Sequence, residues 1–175
     1  MMREEVKMID EISWIHRDKT GRIIKKYTSK HGLLYKLTVK LHLRKPNCLT
    51  NTGFAALAGL ILVDIGGTAF DYLAIGTGTN VAAAANTTLQ TEIKRKTGTG
   101  TRVTTTVTND TAQLVTTFSS ADGLSGTSSV TEVGEFNDPS AGTMLMRQIF
   151  TAESLNWDAG DSFEVTVKVQ CKQGT

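Results

Sequence analysis

Residues that announce specialised chemistry are scarce in this chain. Of 175 residues only 2 are cysteine and 2 are proline, and aromatic residues make up 6%. Cys48 and Cys171 stand far apart and form no C-x-x-C unit, so the spacing supports neither a thiol metal site nor a disulfide framework. The opening Met-Met-Arg-Glu-Glu carries no signal-peptide pattern. The expectation is therefore a protein that is not exported, with two reduced, buried thiols rather than a bridge. The longest apolar run, Phe54 to Ile65, is rich in Ala and Gly and falls short of the roughly 18 residues a membrane helix needs. No membrane partner is expected. With 21% charged and 39% hydrophobic residues the chain is not of the disordered class, and its length suits one domain with its own core.

Threonine is abundant, at 27 residues, and glycine reaches 16. That much threonine suits pleated, half-buried surfaces and leans towards an all-β protein. The net charge of +2 hides an asymmetry: residues 1–50 hold 12 Lys or Arg against 5 Asp or Glu, whereas residues 51–175 hold 7 against 12. A basic arm can reach for nucleic acid, but no recognition fold or interleaved aromatic platform accompanies it, so nucleic acid is not the expected partner. Opposite charges on two segments also suit copies of one protein joined head to tail. Residues 1–46 are accordingly read as basic N-terminal strands or an arm. Residues 47–175 are read as the body, with the two parts forming one continuous domain.

Periodicity places strands almost everywhere. Val6 to His16 and Arg22 to Thr28 read as a hairpin around the Asp18–Gly21 turn. Tyr35 to Leu43 alternates strictly, with one apolar and one basic face. A helix is predicted from a cap at Asn51 or Thr52 to Gly66-Gly67, with Phe54, Leu57, Leu60 and Ile61 at helical spacing. Phe70 to Ile75 reads as a buried strand, and Thr87 to Lys94 as a short second helix. Val103–Val107 and Gln113–Phe118 form a hairpin around Asn109-Asp110, and Val130–Phe136 and Met144–Phe150 a second around residues 137–142. Phe163 to Val169 gives the final strand. The fold class predicted is all-β: an antiparallel, jelly-roll-like β-sandwich with one or two short helices.

Motifs for catalysis were tested in turn. Gly76-Thr77-Gly78-Thr79-Asn80-Val81 follows a strand as a dinucleotide loop would, but lacks the third glycine, the βαβ setting and any Gly-Lys-Ser/Thr; a tight turn needing positive φ is expected. His16, His31 and His42 share no metal-ligand spacing, and Gly123-Leu-Ser125-Gly126 misses the nucleophile-elbow pattern. Glu132 and Glu135 lie three apart on a strand, which puts them on opposite faces, and Asp158 to Asp161 reads as a turn. Neither pair suits paired acid–base work. No enzyme, cofactor or metal is expected. Trp14 and Trp157 divide between two fates, core packing and interface anchoring.

Several phrases together resemble a family of small structural proteins encoded by tailed viruses, often labelled tail or tail-fibre proteins. They are Asn51-Thr-Gly-Phe-Ala-Ala-Leu-Ala-Gly59, Tyr72-Leu-Ala-Ile-Gly-Thr-Gly-Thr79, Thr91-Glu-Ile93, Arg102-Val-Thr-Thr-Thr-Val-Thr-Asn-Asp-Thr111, Val130-Thr-Glu-Val-Gly-Glu-Phe136, Met144-Leu-Met-Arg-Gln-Ile-Phe150 and Gly160-Asp-Ser-Phe-Glu-Val-Thr-Val167. The likeness covers roughly residues 47 to 170. It implies a β-sandwich that builds a virion on the tail, baseplate or capsid surface, made in the host cytoplasm, with other copies of itself and other virion proteins as partners. It carries over no catalytic residue. The expected protein-contact residues are Lys25, Lys26, Lys36, Lys40, Arg44, Lys45 and Trp14. The alternative reading is a receptor- or glycan-binding module at a tail-fibre tip.

Overall fold

The structure, a computed structural model, describes residues 6–29, 48–62 and 66–173. The strand expected at Tyr35–Leu43, with Lys36, Lys40, Arg44, Lys45, His31 and His42, lies outside the described residues. The rest is an antiparallel β-sandwich. Its ten strands are β1 (Val6–Arg17), β2 (Ile23–Thr28), β3 (Cys48–Leu49), β4 (Tyr72–Gly76), β5 (Glu92–Thr97), β6 (Thr99–Val103), β7 (Thr111–Phe118), β8 (Thr127–Phe136), β9 (Met144–Asn156) and β10 (Ser162–Gln173). Among the described residues one α-helix, α1, spans Asn51–Leu60. One sheet runs β2-β1-β10-β7-β6 and the other β3-β9-β8-β4-β5. β1 pairs along its whole length with β10, so the N-terminal strands belong to the sandwich rather than to a separate arm.

Alternation decides what lies between the sheets. Ile12, Trp14 and His16 of β1, Phe163, Val165, Val167 and Val169 of β10, and Leu114, Thr116 and Phe118 of β7 are buried at every second position. The apolar ones among them meet Leu73 and Ile75 of β4, Val130 and Val133 of β8 and Phe150 of β9 in the main core. The second sheet is buried on its outer face too. There Ala74, Phe136 and Met144 pack with Leu89 from the 77–91 loop into a small second core. The chain passes from one sheet to the other at Gly98, between β5 and β6, and closes that side of the sandwich; Leu114 and Thr116 pack so closely there that a Cβ would lie 2.6 Å from Leu114 Cδ1.

Carboxylates fold the turns. Asp18 accepts from the Thr20 and Arg22 amides and the Thr20 hydroxyl, while Gly21 takes φ +82°. The Thr20 hydroxyl bond is the main cause that lowers the Asp18 carboxyl to about 2. Asp138 accepts from the Ser140 and Ala141 amides in the β8–β9 turn, which lowers its carboxyl as well.

Four expectations need correction. Residues 87–91 are not helical; the amides of Gln90 and Thr91 are captured by a carboxylate and the chain enters β5 extended. The hairpin around Asn109 exists, but its first strand is Thr99–Val103, because the Asp110 carboxylate gathers the amides of Thr105, Thr106 and Val107 into a loop. Helix α1 is capped by Thr50, whose hydroxyl accepts from the Gly53 amide, and ends at Leu60 in a tightened turn of Ile61 and Leu62 back to Ala58 and Gly59. Cys48 and Cys171 are free thiols as expected, but only half-buried and exposed respectively.

Candidate functional site

Strand β8 carries two carboxyl groups with opposite surroundings. Glu132 lies on the outer face of its sheet and Glu135 points between the sheets, the opposite facing that a three-residue offset on a strand requires. Glu132 is fully buried. Its Oε1 accepts from the amides of Gly78 at 2.9 Å and Thr91 at 2.8 Å, and its Oε2 from Gln90 at 3.1 Å. Arg147, across β9, donates from Nε to the same Oε2 at 2.8 Å, with Nη2 at 2.7 Å. The arginine's remaining nitrogen, Nη1, reaches Asn86 Oδ1 at 3.0 Å. The floor of a small polar pocket under Asn80, Asn86 and Gln90 is thus an already neutralised guanidinium.

This pairing explains the Gly76-Thr-Gly78 phrase. Neither glycine has positive φ, so the tight-turn expectation is corrected. A Cβ on Gly76 would lie 2.5 Å from the Thr91 carbonyl oxygen and 2.6 Å from Glu132 Oε1. Glycine is needed for close approach, as in loops that cradle phosphate, but the anion cradled is the protein's own carboxylate.

Glu135 meets the reverse situation. It is buried, and its Oε2 has no hydrogen-bond partner. Burial, with Asp10 and Asp71 adding like charge, pushes its carboxyl up to about 8. Asp71 lies just ahead of β4, and Asp10 is buried on β1.

A third cluster ties β1, β9 and β10 at the other end. His16 Nδ1 lies 2.8 Å from Glu153 Oε1, and its Nε2 lies 3.1 Å from Asp161 Oδ2. Lys25 Nζ reaches Glu153 Oε2 at 2.5 Å. A histidine held between two carboxylates ties β1 to β9 of the opposite sheet and to the turn ahead of β10.

The expected contact residues divide. Lys25 is half-exposed, bound to Glu153 and placed 5.7 Å from the Trp14 ring, whereas Lys26 is exposed on β2. Trp14 is 2% exposed and packs with Tyr27, Phe150 and Phe163, so it belongs to the core and is withdrawn from the contact set. Trp157 is also buried, donating from Nε1 to Ser128 Oγ. Sequence reasoning missed Arg147 and Glu153; a lone charge inside the apolar run Met144–Phe150 was the signal for the first. Among the described residues no group of three His, Cys, Asp or Glu side chains is placed to hold a metal ion.

Two outcomes follow. Replacing Arg147 by Met leaves Glu132 buried without its counter-ion, and urea denaturation should show a loss of about 3–5 kcal/mol. Hydrogen exchange at the Gly78, Gln90 and Thr91 amides should speed up with it. For Glu135 the folded state favours the protonated form, so its stabilising contribution is complete below the usual carboxyl value of 4.5 and falls as pH rises towards 8. By pH 7 the loss is roughly 3 kcal/mol. Glu135→Gln should match the parent near pH 4 and exceed it in melting temperature at pH 7 to 8; parallel curves across that range would refute the assignment.

No protein-family model, curated protein or solved structure matches this chain.

Proposed function

We propose that the chain is a non-enzymatic structural component of a tailed-virus particle. In this reading it assembles in multiple symmetric copies on the tail, baseplate or capsid surface through protein–protein contacts. The resemblance of its ordered phrases supports the class, and one feature of the fold carries the assembly reading. Helix α1 is turned inside out relative to an ordinary surface helix. Its glycines, Gly53 and Gly59, are buried, and a Cβ on Gly53 would lie 2.6 Å from the Leu145 carbonyl oxygen. Apart from Leu57, which packs against the main core, its large apolar side chains face the other way: Phe54 is 48% exposed, Leu60 42%, and Ile61 and Leu62 just beyond are 84% and 53% exposed.

An ordinary surface helix puts its apolar stripe on the core and its polar face in water. A cluster of exposed apolar side chains is the mark of a surface that another protein covers. Covering these four would contribute on the order of 5 kcal/mol. The edge strand β2 adds a second contact surface. Among the described residues it pairs only with β1, and it presents half-exposed Ile23 and Ile24 beside exposed Lys26. The partner proposed for the helix face is a second copy of this chain.

Sedimentation of the purified chain tests this. The expectation is reversible association at micromolar concentration, weakened about tenfold or more by Phe54→Ser with Leu60→Ser, with the far-UV circular dichroism unchanged. Lys26→Glu should weaken the same association, most at low salt. A chain that stays monomeric at every concentration, or an association indifferent to the helix variant, would contradict it.

A further inference from the structure

Residues of both sheets border open space beside Glu135. Two adjoining cavities of about 350 and 400 Å³ lie there, within the range of small-molecule sites. Phe70, Asp71, Arg102, Ala112, Glu135 and Val169 line both. Leu114 joins Thr101 and Gln113 in the smaller cavity, whose walls are polar and apolar in equal measure, and Met8, Leu57, Leu60 and Leu145 make the larger one mostly apolar. Glu135 Oε2 is the unpartnered buried polar atom of this space, and among the described residues no cation forms an ion pair with it.

The charged groups around it are unequal. Asp10 from β1 and Asp71 ahead of β4 both act on Glu135 as like charges. Asp110, from the β6–β7 loop, lines the larger cavity, but its carboxylate is already engaged by three backbone amides and Gln170. Arg102 of β6 is exposed. An anionic ligand would meet Asp71, which lines both cavities, beside Glu135. A hydrocarbon would leave Glu135 Oε2 unpaired, a cost that a buried polar group always carries. A divalent ion finds no set of converging ligands among the described residues.

We infer that this inter-sheet cavity is a binding site for an organic cation with an apolar stem, an alkylammonium or alkylguanidinium group, whose charged head pairs with the Glu135 carboxylate. The stem lies against Phe70, Leu114 and Val169. Near neutral pH the free carboxyl holds a proton, because burial and its acidic neighbours raise it to about 8. Docking of the cation therefore releases that proton to solvent and leaves an ion pair, one proton out for one cation in. The smaller cavity, where this stem would lie, has no α1 residue among its lining, whereas Leu60 of the assembly surface also lines the larger one.

Titration calorimetry of the full chain with n-hexylammonium, in buffers of different ionisation enthalpy, tests the inference. The expected result is saturable binding at one site, with close to one proton released at pH 7 and none above about pH 9. Glu135→Gln should weaken binding about tenfold or more while keeping the melting temperature of the parent or raising it. n-Hexanol and n-hexanoate of the same length should not compete. Equal affinity of the Gln variant, binding without proton release, equal affinity for n-hexanol, or no binding at all would each overturn it. Glu135→Gln leaves every α1 side chain in place, so sedimentation of that variant separates failure here from failure of the assembly reading.

Discussion

The Glu132 carboxylate is the interaction on which the second sheet depends. Strand β8 is covered on both faces, by the core on one side and by the 77–91 loop on the other, so a charge on its outer face has no access to water. Three amides and one guanidinium stand in for that water. The loop is held by the same bonds, and it carries Leu89 into the second core. Charge, loop conformation and packing are thus one unit, and two glycines are the condition for it to close. Glu135, three residues further along, shows what happens on the same strand when no such donors are supplied: the group keeps its proton and faces a cavity.

Much of the sandwich was legible in the sequence because alternation and turn chemistry are local. The β1–β2 hairpin, the β8–β9 hairpin and the final strand fall where Val, Ile, Phe and Trp alternate with polar residues and where Asp18-Lys-Thr-Gly21 and Asn137 to Gly142 punctuate them. The opposite facing of Glu132 and Glu135 followed from their spacing alone. What failed depended on distant partners. Residues 87–94 have too short a window to separate helix from strand, and a carboxylate 41 residues away along the chain decides. The first strand of the β6–β7 hairpin was misplaced because Val103-Thr-Thr-Thr-Val107 has strand composition, while Asp110 removes its amides from any ladder. Trp14 could not be assigned between core and surface from composition, and its neighbours Tyr27, Phe150 and Phe163 come from three other strands.

The functional reading draws on a different kind of signal. The apolar periodicity of Phe54, Leu57, Leu60 and Ile61 suggested a helix with a buried stripe, and a helix did form, but close packing of Gly53 on β9 and burial of Gly59 turned most of that stripe outward. Only Leu57 of the four packs against the main core. A rigid two-sheet frame with internally satisfied turns, an apolar helix face and a basic edge strand is suited to being one tile among many. Of the basic residues first singled out, Lys26 is the one that, among the described residues, remains exposed and makes no ion pair with the core.

The most direct measurement is quantitative mass spectrometry of purified virus particles, counting this chain against the major capsid protein. The account predicts a fixed stoichiometry: either a simple fraction of the capsid count, which makes it a surface decoration, or a small symmetric number, which makes it part of the tail or baseplate. Its complete absence from the particle would contradict the account.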